Sequence, residues 1–262
     1  MIHAGRDLVV ADLRARIDAL ALGKGQRLGA LAFGVPEIDT HLPDGGLKLG
    51  ALHEVSEAGP AAAEHAAIAA LFIAGILARL GSGPVLWCLR GQDLFAPALA
   101  RAGLHPDRVI YCETWRDAEV LPAMEEGLAH RGLAAVVGEV SRLGLMPSRR
   151  LQLGAGASGV TALLIRPWRH RGEARQSADA EPTAATTRWR VSPAPSPALP
   201  VPGLHRARWR VELTRCRGGE PRSWLLEACD AKGRLALPAD LANRQTAPQG
   251  RRRERERLAA VQ

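Results

Sequence analysis

Residues 85–112 read VLWCLRGQDLFAPALARAGLHPDRVIYC, and this stretch decides the fold. VLWCL at 85–89 is a short apolar run without polar alternation, the pattern of a strand covered on both faces. A helix is predicted over 94–102, and VIYC at 109–112 is the next strand. Toward the C-terminus the alternation continues: a helix ending near Arg131, strand LAAVV at 133–137, a short helical stretch from Pro147, and strand VTALLI at 160–165. Toward the N-terminus, a Gly45–Gly46 turn precedes a strand over 51–56, and Pro60 opens the segment 61–80. That segment is apolar almost all round apart from Glu64, His65 and Arg79, so it is read as a helix buried against a sheet. Strands alternating with helices predict an α/β fold with a mostly parallel central sheet and helices on both faces.

Outside this core the character changes. Residues 7–22 read as an amphipathic helix with Val9, Leu13, Ile17 and Leu20 on one face, ended by Gly23 and Gly25. Beyond Ile165 the chain turns basic. Residues 1–165 carry 15 Lys+Arg and 17 Asp+Glu, a net of −2, whereas residues 166–262 carry 20 and 10, a net of +10. Two RWRV segments, at 188–191 and 208–211, read as amphipathic strands separated by the proline-rich run SPAPSPALPVPG at 192–203. A further strand is predicted over 223–229 behind a Gly218–Gly219 hairpin turn, and RRRERER begins a charged tail. The expected organisation is an N-terminal helix and linker (1–28), the α/β core (29–170), a small basic Arg/Trp-rich β extension (171–246) and a disordered tail (247–262).

Only three of the 35 basic residues are lysines (Lys24, Lys48, Lys232), and a chain this rich in Ala, Gly, Pro and Arg reflects GC-rich coding as readily as function. The basic half suggests an acidic partner, nucleic acid first, or simply a solvated extension. Cys88, Cys112, Cys216 and Cys229 are far apart and form no C-x-x-C pair, so reduced thiols are expected and zinc is not. The histidines show no metal spacing. No basic-then-apolar leader opens the sequence, and the apolar stretch 66–78 is too short for a bilayer. A soluble cytoplasmic protein follows, nucleoid-associated when engaged, with no membrane partner and no cofactor.

In a parallel sheet, ligands sit beyond the carboxyl ends of the strands. The order GVPEID…LPDGGLKLGALHEV, a long helix, VLWCLRGQDLFAPALARAGL, then LAAVVGEVSRL and GVTALLIRP, is similar to the RecA-type core. It most closely resembles the ImuA family, RecA-like accessory proteins of bacterial mutagenic translesion synthesis. The resemblance covers residues 30–170 best, rests on the order of several motifs, and implies a RecA-like fold.

An ATP-binding relative would carry G-x-x-x-x-G-K-[ST] after the first strand, its amides and lysine wrapping the phosphates and its hydroxyl holding Mg²⁺. Here SEAGPAAAEHA, residues 56–66, stands in that place. Gly59 survives as a turn glycine, Ala63 or Glu64 fills the lysine position, and Glu57 and Glu64 repel a triphosphate. After the second strand, Gln92 replaces the carboxylate that polarises water and cannot accept a proton; Asp93 reads as the cap of the next helix. After the third strand Gly138 holds the Walker-B position, and Glu139, one residue on, points to the other face unless the strand bulges. Ser56, Gly59, Gln92, Gly138 and Glu139 thus outline a vestigial nucleotide site without catalytic residues.

By position in the resemblance, Arg166, Trp168, Arg169 and Arg171 begin one DNA-facing loop, and Arg149 and Arg150 lie in the region of the other. They are candidate DNA or partner contacts; the alternative is that Trp168 covers a sheet edge and the arginines are solvated. The resemblance also implies protein partners: an inactive Y-family polymerase relative (ImuB), an error-prone C-family polymerase, and RecA. Val9, Leu13, Ile17 and Leu20 either dock on such a partner or a second copy, or fold back on the core. Two other functions stay open: a divergent ATPase using Glu139 with Arg90 or Arg142 of a neighbour, and a cell-division inhibitor of the SulA type.

Overall fold

A computed structural model describes residues 28–57, 67–91, 94–166, 181–196 and 206–239. The predicted N-terminal helix, the charged tail, and Gly59, Gln92, Trp168, Arg169 and Arg171 lie outside those residues.

The parallel strands are β3 (Leu52–Glu57), β4 (Val85–Arg90), β5 (Val109–Thr114), β6 (Ala135–Glu139), β7 (Thr161–Arg166) and β8 (Thr187–Ala194). Two antiparallel strands, β9 (Arg208–Cys216) and β10 (Arg222–Glu227), complete one eight-stranded sheet in the order β10-β9-β8-β3-β7-β6-β4-β5. A two-stranded antiparallel ribbon, β1 (Ala30–Leu31) with β2 (Leu47–Lys48), flanks it. The apolar runs of the sequence are therefore strands of a RecA-like α/β core. The Arg/Trp-rich extension is continuous with that core, because β8 pairs in parallel with β3.

Among the described residues the helices are α1 (Pro36–Asp39), α2 (Ala67–Arg79), α3 (Ala96–Arg101), α4 (Asp117–Ala129) and α5 (Leu145–Ser158), of which α2, α4 and α5 pack on the sheet. Side chains alternate along each strand, so each face has its own core. On one face Val55, Trp87, Leu89, Val137, Ile165 and Trp189 pack under Phe72, Ile73, Ile76 and Leu77 of α2. On the other, Cys88, Val136, Ala162 and Leu164 pack under Val120, Met124 and Leu128 of α4 and Leu151 of α5. The tryptophans of both RWRV segments, Trp189 and Trp209, are buried in the first core. Trp189 lies 5.3 Å from the Phe33 ring and 6.0 Å from that of Phe72. These strands are amphipathic for the predicted reason: tryptophan goes in, and arginine goes out or into an ion pair.

The short helical stretch expected from Pro147 is longer than its sequence suggests. α5 runs fourteen residues through LQLGAGAS and stops at Gly159, whose φ of 87° suits a left-handed C-cap. Its glycines disfavour helix, so packing of Leu151 and Ala155 against β3 and β7 decides. Among the described residues no helix is long and apolar enough to cross a membrane.

Candidate functional site

The carboxyl ends of β3, β7 and β6 lie side by side, and the protein's own groups fill them. On the α2 face, alternation from Val55 and Val137 brings Glu57 and Glu139 to these ends, and both are buried. Trp87 of β4 donates its indole N–H to Glu139 Oε1 at 2.9 Å. Strand β6 holds an unbroken register with β7, Gly138 opposite Leu164 and Glu139 opposite Ile165, so no bulge returns the Glu139 carboxylate to the Gly138 face. At Gly138 itself there is no room for a side chain: a Cβ would overlap the sulfur of Met124, which α4 lays against the strand. That face of Gly138 is thus part of the second core. Ser56 faces that side too and donates its hydroxyl to the Trp189 carbonyl at 3.1 Å.

On the same face lies an ionic cluster that the sequence reading missed. Glu54 of β3 is buried between Arg166 of β7, at 3.8 Å, and Arg188 of β8, at 3.5 Å. Thr183 donates its hydroxyl to Glu54 and accepts from Arg188 Nη2 at 2.8 Å. Arg166 also reaches the Glu181 carboxylate at 3.2 Å and the Ser141 carbonyl at 3.4 Å. The segment entering β8 is pinned further: Ala184 N–H donates to Ser148 Oγ of α5 at 2.9 Å, and Arg215 donates to the Thr183 carbonyl at 2.9 Å. Buried charges persist when paired and hydrogen-bonded. The cluster clamps the returning chain onto β3, and Arg166, expected as a surface contact, is buried inside it. The available signal was Glu54 itself, an acid beside His53 in the strand run ALHEV.

Arg149 and Arg150 are exposed on the second turn of α5 rather than in a loop, and Arg150 pairs with Glu125 of α4 at 2.8 Å. Arg142 is exposed just after β6. Trp115, directly after β5, and Phe95, at the start of α3, are the most exposed aromatics in the described residues, at 91% and 68%.

His53 is a satisfied core histidine. Its ring nitrogens lie 2.7 Å from Thr187 Oγ1 and 2.7 Å from the Lys48 carbonyl, and burial pulls its pKa down to about 4. All four cysteines are free thiols. Burial, with Cys112 opposite on β5, pushes Cys88 up to about 12, so it is a poor nucleophile. Among the described residues no group of three or more His, Cys, Asp or Glu comes together to hold a metal.

No protein-family model matches the chain. Among curated proteins, Protein ImuA of Caulobacter vibrioides, matched in two strains, is 41% identical over 210 residues, covering 77% of this chain and 84% of that protein. Identity at that level over most of both chains, on the fold described above, makes this protein a member of the ImuA family.

Proposed function

We propose that this ImuA-family chain works without ATP, as an accessory scaffold of error-prone translesion DNA synthesis that binds polymerase-type partners. One observation carries the non-catalytic part. The carboxyl ends of β3 and β6, where a RecA-type ATPase holds phosphate and Mg²⁺, present two buried carboxylates, Glu57 and Glu139, and the Walker-B position Gly138 is packed by Met124. An anion placed there meets like charge in a poorly solvated site. The scaffold part rests on family membership, with an inactive Y-family polymerase relative, an error-prone C-family polymerase and RecA as the partners.

The test is a thermal shift and a hydrolysis assay on the pure full-length chain with Mg-ATP. A ligand bound to the folded state at a hundred times its Kd stabilises by about 2.7 kcal/mol. No shift and no turnover are expected at millimolar Mg-ATP; stabilisation at micromolar Mg-ATP, or turnover lost in Glu139→Gln, would make the chain an ATPase. The scaffold reading is tested separately, by binding of the purified polymerase relative. No detectable binding at tens of micromolar, on the order of −6 kcal/mol, would remove it.

A further inference from the structure

The two edges of the central sheet are finished differently. At one end β10 is closed by the chain that follows it: Glu227 bridges Ala236, its N–H donating to the Ala236 carbonyl at 2.8 Å. At the other end β5 pairs with β4 in unbroken parallel register from Val85 opposite Val109 to Arg90 opposite Thr114, and no strand among the described residues pairs with its outer side.

Exposed edges invite another strand, and proteins usually blunt them with lysine, proline, a bulge or very short length. VIYCET is six residues long, has no lysine or proline, carries one charge, Glu113, and runs without a bulge. Its side chains are unusually open for an apolar strand: Ile110 is 51% exposed and Tyr111 40%, and Trp115 follows immediately. Tyr111 lies on the face of Trp87, whereas Ile110 and Cys112 lie on the face of Cys88. Both faces of this edge therefore present apolar surface that the other described residues do not cover.

We infer that β5 pairs antiparallel with β5 of a second copy of this chain about a two-fold axis at Tyr111, joining the two sheets into one. A second copy suits this edge because its own strand is apolar on both faces, and the strand's one charge limits the register. Antiparallel partners share a face, so a two-fold pairing must be centred on a residue. Centred on Tyr111, it sets Ile110 opposite Cys112 and Val109 opposite Glu113, and the strand's one charge never meets itself. Centred on Glu113, it would set that carboxylate opposite its own copy, and like charges directly opposite are destabilising. Ile110, Tyr111 and Trp115 from two copies, with the edge backbone, cover on the order of 1,000 Å², the lower end of specific interfaces. A weak, reversible dimer with a Kd of about 1–10 μM is expected. This inference is independent of whether the chain hydrolyses ATP.

Sedimentation of the full-length chain from about 1 to 100 μM, spanning that range, tests it, with hydrogen exchange at both ends of the series. Expected are a monomer–dimer equilibrium and amides of 109–114 that exchange more slowly as concentration rises. Tyr111→Lys sets two ammoniums opposite each other at the axis and should weaken the dimer at least tenfold. Ile110→Lys, at a more exposed position, should do the same with unchanged circular dichroism and guards against a misfolded first variant. A monomer throughout the range, a dimer that survives both substitutions, or β5 amides protected only when a polymerase partner is added would each overturn the inference.

Discussion

The carboxyl end of the sheet above β3, β7 and β6 and the outer edge of β5 are both places where a RecA-like core could meet another molecule. They are treated in opposite ways. At the first, polar and charged groups are turned inward and matched: Glu139 accepts a hydrogen bond from the Trp87 indole N–H, Glu54 sits between Arg166 and Arg188, Ser56 donates to the Trp189 carbonyl, and Met124 fills the space beside Gly138. At the second, apolar side chains and strand backbone are left facing out. The difference teaches that, among the described residues, buried polar groups are matched to one another at the carboxyl end of the sheet, while apolar surface is left open at the β5 edge. If that contrast is right, changes at the closed end should cost stability, and changes at the open edge should cost association alone.

The largest effect is expected at Glu54. Glu54→Ala leaves the buried guanidiniums of Arg166 and Arg188 without their shared carboxylate, and breaking a buried pair by removing one partner costs about 3–5 kcal/mol. Urea denaturation should show the loss as a lower midpoint. A cost below about 1 kcal/mol, the surface-pair range, would mean that water already reaches the cluster, and the closed end would not be closed.

His53, also on β3, gives a pH-dependent version. Its folded pKa, about 4, lies below the ordinary histidine value of 6.5, because burial disfavours the charged ring. The unfolded chain therefore takes up the proton first as pH falls. The contribution to stability is full above pH 6.5, falls as pH drops toward 4, and levels off below, a total of about 3 kcal/mol. Unfolding measured between pH 7 and pH 4 should show this slope, and His53→Gln should flatten it. An unchanged slope in that variant would assign the acid sensitivity elsewhere.

Placing a carboxylate at position 138 is the next step down. Gly138→Asp drives a side chain into Met124, and overpacking of this kind costs about 1–3 kcal/mol. Thermal unfolding should register it, and hydrolysis of Mg-ATP should not appear. Met124→Ala in the same chain makes room, so the double variant should lose less than the two single losses combined. Additive losses would show that Met124 is not what occupies the position.

These positions differ in how far they could be read from the sequence. The parallel strands announced themselves, because VLWCL, LAAVV and VTALLI are apolar at every step and only a strand covered on both faces tolerates that. The facing of Glu139 away from the Gly138 side was legible for a related reason: strand alternation fixes which face a neighbouring carboxylate takes. The ionic cluster was not, because Arg166 and Arg188 stand in basic stretches that look solvated, and only the fold brings them across β3 to Glu54. Nor was the edge. VIYC has the composition of a buried strand, and its place at the end of the sheet depends on strand order, which local pattern does not encode. The joining of β8 to β3 was hidden in the same way: amphipathic RWRV shows that one face is buried but not which strand it pairs with.

The smallest expected effect sharpens the comparison most. Ile110→Lys replaces a half-exposed apolar side chain on the outer strand with one whose stem can lie along the same surface while its ammonium reaches water. For the monomer, a substitution of this kind should stay within about 0.5 kcal/mol. Because a dimer would add its own stabilisation by mass action, the comparison must be made at low protein concentration, where wild type and variant are both monomeric. There the two urea midpoints should coincide, and at high concentration the wild type should move ahead. A variant already destabilised at the lowest concentration would place Ile110 in the monomer's own core, and the β5 edge would then be a closed surface like the other.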